Sequence, residues 1–347
     1  MQNELTYILG AGASFQSIPI VKTFAKRFEE FVLKIELMGR NGGQENNNIR
    51  AIGRLSRRFL NEFESHQSFD TYFKKLFHTQ QLDLISQGKK ILNLYFLWEH
   101  LNLPNNKNDK HVEGNFIKTS KIDKRYDALI AGLLKPIASK SEVFCKTNFI
   151  TWNYDLNLFF SLKNYFSPTN TVKNFLNEIS INEFEWNIDN QIHVVNMNGF
   201  FYSSELEEMN FLSEIEFTDI LNTKITSEYI SSTFFDKDSQ LIKFAWETDN
   251  ETSITALDKI AKASNIVVIG YTFPLYNRLT DLKYFSSESL NTKRLYLQDP
   301  NSNKILEDIK DNFEIKEKLK YQGDTMTKIT SVESCESFFV PNSIYSV

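Results

Sequence analysis

Five short stretches carry residue types that could do chemistry: Gly10-Ala11-Gly12-Ala13-Ser14, Asn153-Tyr154-Asp155, Asn198-Gly199, Gly270-Tyr271-Thr272 and Asp299-Pro300. Each follows an apolar run of strand length. The first closes a buried strand and opens a helix. Small residues at such a turn let a backbone approach a phosphate closely, and N–H groups at a helix start favour an anion. The turn has neither the lysine of a P-loop nor the third glycine of a regular dinucleotide motif, so alone it reads equally as a structural turn. Asn153 and Asp155 could orient a sugar hydroxyl or a water and stabilise a developing positive charge. The plain alternative for Asp155 is the N-cap of the next helix.

Strands must carry these stretches. Short apolar or β-branched runs predict them at 4–10, 147–151, 193–197, 265–270 and 294–298. Helical spacing appears between them. Val21, Phe24, Phe28, Phe31, Val32 and Ile35 predict a helix over 21–37, and further helices are expected over 155–164, 254–263, 274–287 and 303–311. Strands alternating with helices predict an α/β fold with a doubly wound, mostly parallel sheet, a Rossmann-like architecture. In such a sheet ligands sit beyond the carboxyl ends of the strands, where all five stretches fall.

Between the first two strands the pattern changes. A polar loop is expected over 38–48 and another over 104–113, with helices over 49–64, 68–78, 82–101 and 126–138. The expected organisation is one domain formed by 1–37 and 139–347, with a helical insertion over 38–138. The insertion carries an apolar stripe of Leu92, Tyr95, Phe96, Trp98 and Leu101 but no metal-ligand or nucleophile cluster. That stripe is expected to be an interaction surface; packing against the sheet is the alternative. Residues 203–239 are polar and carry no clear pattern.

Composition narrows the function classes. The chain has 347 residues, 41% of them hydrophobic, with 30 Phe and 14 Tyr, ample for a core. Gly and Pro number only 12 and 7, against disorder or a turn-rich all-β fold. A net charge of −5 without a long basic run argues against direct nucleic-acid binding. No run reaches the ~18 apolar residues of a membrane span, and the N-terminus lacks a signal-peptide pattern, so a cytoplasmic protein is expected. Cys145 and Cys335 are the only cysteines, too few for a four-cysteine zinc site, and no metal is expected.

Gly10-Ala11-Gly12-Ala13-Ser14 followed by Ile18-Pro19 resembles the Gly-Ala-Gly-x-Ser and Gly-Ile-Pro signature of sirtuin-like NAD-binding domains, with Ser17 where the second signature glycine stands. Thr151-Trp152-Asn153-Tyr154-Asp155 resembles the family's Thr-x-Asn-x-Asp, and Val268-Ile269-Gly270-Tyr271-Thr272 its Gly-Thr-Ser strand end. Gln67-Ser68-Phe69-Asp70-Thr71-Tyr72 is similar to a motif of the bacterial branch found in antiphage defence. The zinc ribbon of protein-deacylating sirtuins has no counterpart. The resemblance therefore implies NAD as ligand or substrate, held by Gly10, Ala11, Gly12, Ser14, Gly199, Gly270, Thr272 and Asp299. It implies Asn153, Asp155 and Asn198 as the reacting set, and an immune effector that hydrolyses NAD to nicotinamide and ADP-ribose. A homo-oligomer or a partner defence protein belongs to the same expectation.

The family's catalytic His-Gly appears here as Asn198-Gly199. An amide has no useful pKa near neutrality and cannot act as a general base. His193 lies five positions upstream on the same predicted strand, at an odd offset and ~16 Å away, and reads as structural. Of the others (His66, His78, His100, His111), His66 stands near Asp70 in sequence. Asp155 is the candidate substitute base. A non-catalytic NAD- or ADP-ribose-binding scaffold subunit remains the alternative function.

Overall fold

The computed structural model describes residues 4–41, 47–101, 122–137, 141–167, 172–182, 184–201, 242–247, 250–285, 293–312 and 328–345. Eight strands lie among them. They are β1 (Glu4–Leu9), β2 (Thr147–Thr151), β3 (Ser180–Asn182), β4 (Glu185–Ile188), β5 (Ile192–Asn196), β6 (Ala263–Ile269), β7 (Arg294–Gln298) and β8 (Lys328–Val332). They form one sheet in the order β3-β4-β5-β2-β1-β6-β7-β8. The six strands from β5 to β8 in this order run parallel, and β3 and β4 add an antiparallel edge.

Alternation along β1 sorts its side chains onto two cores. Leu5, Tyr7 and Leu9 join one apolar cluster, Ile8 the other. Near-continuous apolar strands are what a sheet covered on both faces requires. The first face is covered by α1 (Val21–Asn41), α2 (Asn47–Glu64), α3 (Phe69–His78), α4 (Leu82–Leu101), α5 (Lys124–Leu133), α6 (Asn157–Phe166) and α7 (Val172–Ile179). The second is covered by α8 (Asn250–Lys262), α9 (Arg278–Tyr284) and α10 (Ser302–Asn312). The doubly wound architecture expected from the sequence is therefore present.

The helical insertion does not present its stripe to a partner. Leu92, Tyr95, Phe96, Trp98 and Leu101 are all buried, Tyr95 completely. Phe24 of α1 lies 5.0 Å from Tyr95 and 4.7 Å from Phe69 between ring centroids, and Phe28 lies 5.3 Å from Phe63. Rings at such spacings add about 0.5–1.5 kcal/mol per pair beyond the area they bury. The stripe expected to be an interaction surface is instead core, continuous with the sheet face that carries Leu5 and Tyr7.

Local chemistry explains where boundaries moved. The helix expected over 126–138 begins at Lys124, capped by Asp123, and ends at Leu133. Leu134 then bridges Val143, and Pro136 disfavours helical geometry in the residue before it. The loop expected over 38–48 is shorter, since α1 continues to Asn41 and α2 starts at Asn47. The helix expected over 274–287 is a 3-10 turn (Leu275–Asn277) leading into α9. β3, β4, β8 and α7 were not expected. The β4–β5 hairpin turns on Asp189 and Asn190, whose φ of 50° and 57° suit the right-handed twist of the strands. The expected loop over 104–113 and the unpatterned stretch over 203–239 lie outside the described residues.

Candidate functional site

β1 sits mid-sheet. From it the chain builds β2 and β5 on one side, then β6, β7 and β8 on the other. The order reverses between β1 and β6, and that switch point opens a crevice at the carboxyl edge. The two turns leaving β1 and β6 touch there through their backbones. The Gly10 N–H donates to Ile269 O at 3.0 Å and the Gly12 N–H to Gly270 O at 3.0 Å. Gly270 has φ +59°, and a Cβ on it would lie 2.4 Å from Ala13 N and from Gly12 C. The glycines of both motifs are thus required first by backbone packing, whatever they bind.

A cleft opens over this contact at the carboxyl edge of the sheet. Its walls are assembled from distant segments. Gly10 and Ala11 come from the first turn, Phe69 and Asp70 from the start of α3, and Phe96 from α4. Trp152, Asn153, Tyr154 and Asp155 follow β2, and Asn198 follows β5. Gly270, Tyr271, Thr272, Pro274 and Asn277 follow β6. Trp152 and Tyr271 stack at 6.0 Å with their planes 8° apart. Phe273 beyond them holds φ +52°, rare for an aromatic residue, with its ring packed on Tyr271 and Phe285.

Seven expected site residues therefore share one cleft: Gly10, Ala11, Asn153, Asp155, Asn198, Gly270 and Thr272. The other four stand apart from its walls. Gly12 lies behind the turn with its N–H bonded to Gly270. Ser14 is buried, accepts a hydrogen bond from Asn153 Nδ2 at 3.2 Å, and shares another with the Tyr126 hydroxyl at 3.1 Å. Gly199 makes the turn after β5 at φ +65°. Asp299 Oδ1 accepts the Asn301 N–H at 2.8 Å, just ahead of α10. Gly10 and Ala11 are the turn residues presented to the cleft, and the Gly10, Gly12 and Ala13 amides already donate to backbone carbonyls.

The polar side chains differ in what holds them. Asn198 Nδ2 donates to Trp152 O at 2.8 Å, while its Oδ1 is buried without a partner among the described residues. Asn277 is similar: Nδ2 donates to the Tyr271 hydroxyl at 3.0 Å and Oδ1 has no partner among the described residues. Buried acceptors of this kind suit an N–H or O–H donor brought by a ligand. Asp155 Oδ1 accepts both the N–H and the Nδ2 of Asn157 at the start of α6, at 3.0 and 2.5 Å. Burial raises its pKa against those hydrogen bonds. Asp70 Oδ1 accepts the Tyr154 hydroxyl at 3.1 Å, and burial among aromatic rings pushes its pKa up to about 7.

A buried polar network braces the first turn from behind. Arg125 Nη2 donates to Ala13 O at 2.9 Å and pairs with Asp123 Oδ2 at 2.5 Å. Asn157 Oδ1 accepts from the Asp123 N–H and from Ser17 Oγ, both at 2.9 Å. The residue standing in the second signature glycine's place is thus a working hydrogen-bond donor.

None of the described histidines lines the cleft. His193 Nε2 lies 3.4 Å from Glu185 Oε2, and burial is the main influence lowering its pKa. His66 Nδ1 meets Glu62 O at 2.7 Å, with its ring against Tyr72. His100 Nε2 accepts the Leu156 N–H at 3.4 Å. Among the described residues no three side chains cluster to hold a metal, and no helix is long and apolar enough to cross a membrane. Set beside known proteins, the chain matches no family model and no curated protein. Asp70, Trp152, Tyr154 and Asn277 are among the cleft residues to which sequence reasoning gave no role. The similarity of 67–72 to a known motif was the signal that pointed at Asp70.

Proposed function

We propose that the cleft binds NAD and that the protein hydrolyses it to nicotinamide and ADP-ribose. One observation carries the reading: three asparagines (Asn153, Asn198 and Asn277) and two carboxylates (Asp70 and Asp155) converge from four segments on an aromatic-walled cleft at the sheet's switch point. The motif resemblance of the first turn and of 151–155 supports the same ligand, and Gly10 and Ala11 are the turn residues offered to its pyrophosphate.

The chemistry asks little of an acid. Breaking the bond from ribose to nicotinamide releases a neutral molecule from a cationic ring. The sugar left behind resembles an oxocarbenium ion, which water attacks readily. Asn153, held by Ser14, orients ribose and water, and fixed dipoles at the strand ends stabilise the charge. The resemblance to the antiphage branch supports an effector that depletes cellular NAD, as a homo-oligomer or with a partner defence protein.

Asn198 favours a second reading, a subunit that binds NAD or ADP-ribose without cleaving it. Its amide cannot take a proton and is fixed on the Trp152 carbonyl. The deciding experiment incubates purified protein with NAD and follows nicotinamide release, with ADP-ribose affinity measured by calorimetry. Release abolished by Asn153→Ala supports hydrolysis. Binding without release supports the second reading, and no binding of either nucleotide sinks both.

A further inference from the structure

We propose that Asp70 is the general base of this reaction, taking the proton of the attacking water that an amide at Asn198 cannot take. The inference rests on the hydrolysis reading above. A base needs access to the cleft and an oxygen not already fixed by a cation or by several donors. Among the described residues lining the cleft, the titratable side chains are Asp70, Tyr154, Asp155 and Tyr271. Tyr154 and Tyr271 donate their protons to Asp70 and Asp281. Asp155 holds the start of α6 through Asn157. Asp70 has one side-chain partner, the Tyr154 hydroxyl.

Its surroundings make it basic. Phe69, Phe96 and Tyr154 line the cleft beside it, the rings of Phe96 and Tyr154 stacked at 5.3 Å and those of Phe69 and Tyr154 tilted at 5.8 Å. A carboxyl in such a site prefers its neutral form, so its anion is a stronger base than an exposed aspartate. The titratable and charged groups on neighbouring elements include Lys22, Lys26 and Arg27 on α1, His66 after α2, Tyr72, Lys74, Lys75 and His78 on α3, Asp83, Lys89, Lys90, Tyr95, Glu99 and His100 on α4, and Tyr154 and Asp155 after β2. Of these only the Tyr154 hydrogen bond acts on the carboxyl, and it favours the anion. Asp70 also lies in the first turn of α3, whose N-terminus stabilises negative charge.

The step balances without a further reactant. Water oxygen bonds to the ribose carbon as the bond to nicotinamide breaks, its electron pair returning to the ring nitrogen. The Asp70 carboxylate takes the water proton and later releases it to solvent. The products are ADP-ribose, neutral nicotinamide and one proton.

The test is a pH–rate profile for wild type, Asp70→Asn and Tyr154→Phe, with NAD affinity measured on each. Wild-type kcat should fall as pH drops through about 7. Asp70→Asn should lose ~10²–10⁴-fold in kcat, the span of a general base, while NAD affinity changes less than about 3-fold. Tyr154→Phe removes the bond that favours the anion, so its midpoint should move to higher pH; a merely structural role would not move it. A wild-type kcat flat from about pH 5.5 to 8.5 overturns the proposal without needing any variant to fold. Asp70→Asn retaining a tenth of kcat or more overturns it while hydrolysis stands. Wild type that binds NAD but releases no nicotinamide overturns hydrolysis and base together.

Discussion

Two tyrosine–aspartate pairs stand on opposite sides of the sheet and share nearly the same local chemistry. Tyr154 donates to Asp70 at 3.1 Å on the face covered by α1–α7. Tyr271 donates to Asp281 at 2.8 Å on the face covered by α8–α10. Burial pushes both carboxyls to about 7 against the tyrosine's pull. Only Asp70 lines the cleft; Asp281 lies fully enclosed behind Tyr271, with Oδ2 unpartnered. A perturbed pKa therefore does not mark a site by itself. Access decides: the same pair is a candidate reactive group at the cleft and a buttress behind it.

The largest expected effect breaks both sides at once. Gly270→Ala puts a Cβ 2.4 Å from Ala13 N at φ +59°, where the β1 and β6 turns meet. We expect a loss of about 3 kcal/mol or more and a failed cleft, read by urea denaturation and NAD binding.

Next come the cleft side chains. Asn153→Ala should reduce nicotinamide release by at least ~10²-fold with the melting temperature within a few degrees of wild type, since its partner Ser14 keeps the Tyr126 hydroxyl. Asp281→Asn should show the opposite pattern, a small change in kcat and a clear change in stability. A kcat loss in Asp281→Asn as large as in Asp70→Asn would erase the distinction between the pairs.

The pH dependence of stability sharpens it further. Both carboxyls have folded pKa values above the unfolded 3.8. The native state therefore binds the extra protons, and the stability they contribute is complete below about 3.8 and lost as pH rises through about 7. Each group contributes on the order of a few kcal/mol across that window. Asp281→Asn should flatten part of the decline in denaturant midpoint between about pH 4 and pH 7. A curve identical to wild type would show that Asp281 titrates normally.

The smallest effects fall at Asn198. Asn198→Ala should cost less than the ~10²–10⁴-fold of a lost base, and Asn198→His should raise the rate. Equal rates in all three proteins would place Asn198 outside the chemistry.

Much of this was legible from the chain. β1, β2, β6 and β7 announce themselves as short apolar or β-branched runs, and β1 and β2 are buried along their whole length because helices cover the sheet twice. Seven of eleven expected site residues reach one cleft because parallel strands all deliver their carboxyl ends to the same edge. The short β3 and β4 were not legible, since three or four residues carry too little periodicity, although Asp189-Asn190 is a turn signal. The stripe of α4 read as a surface because spacing shows that a face is apolar, not what covers it.

What the sequence alone determined is β1, β2, β5, β6 and β7, most of the helices and their order, since periodicity, capping residues and Pro136 are local and act within a turn or two of chain. What only the tertiary structure decided is which polar groups face solvent, ligand or core. Asp70 and Asp155 are both acids beside apolar residues in sequence. Both reach the cleft, but Asp70 meets the Tyr154 hydroxyl brought from beyond β2, whereas Asp155 is drawn onto Asn157 by the start of α6. Desolvation depends on every neighbour within several ångströms, and in this chain those neighbours come from segments more than eighty residues apart.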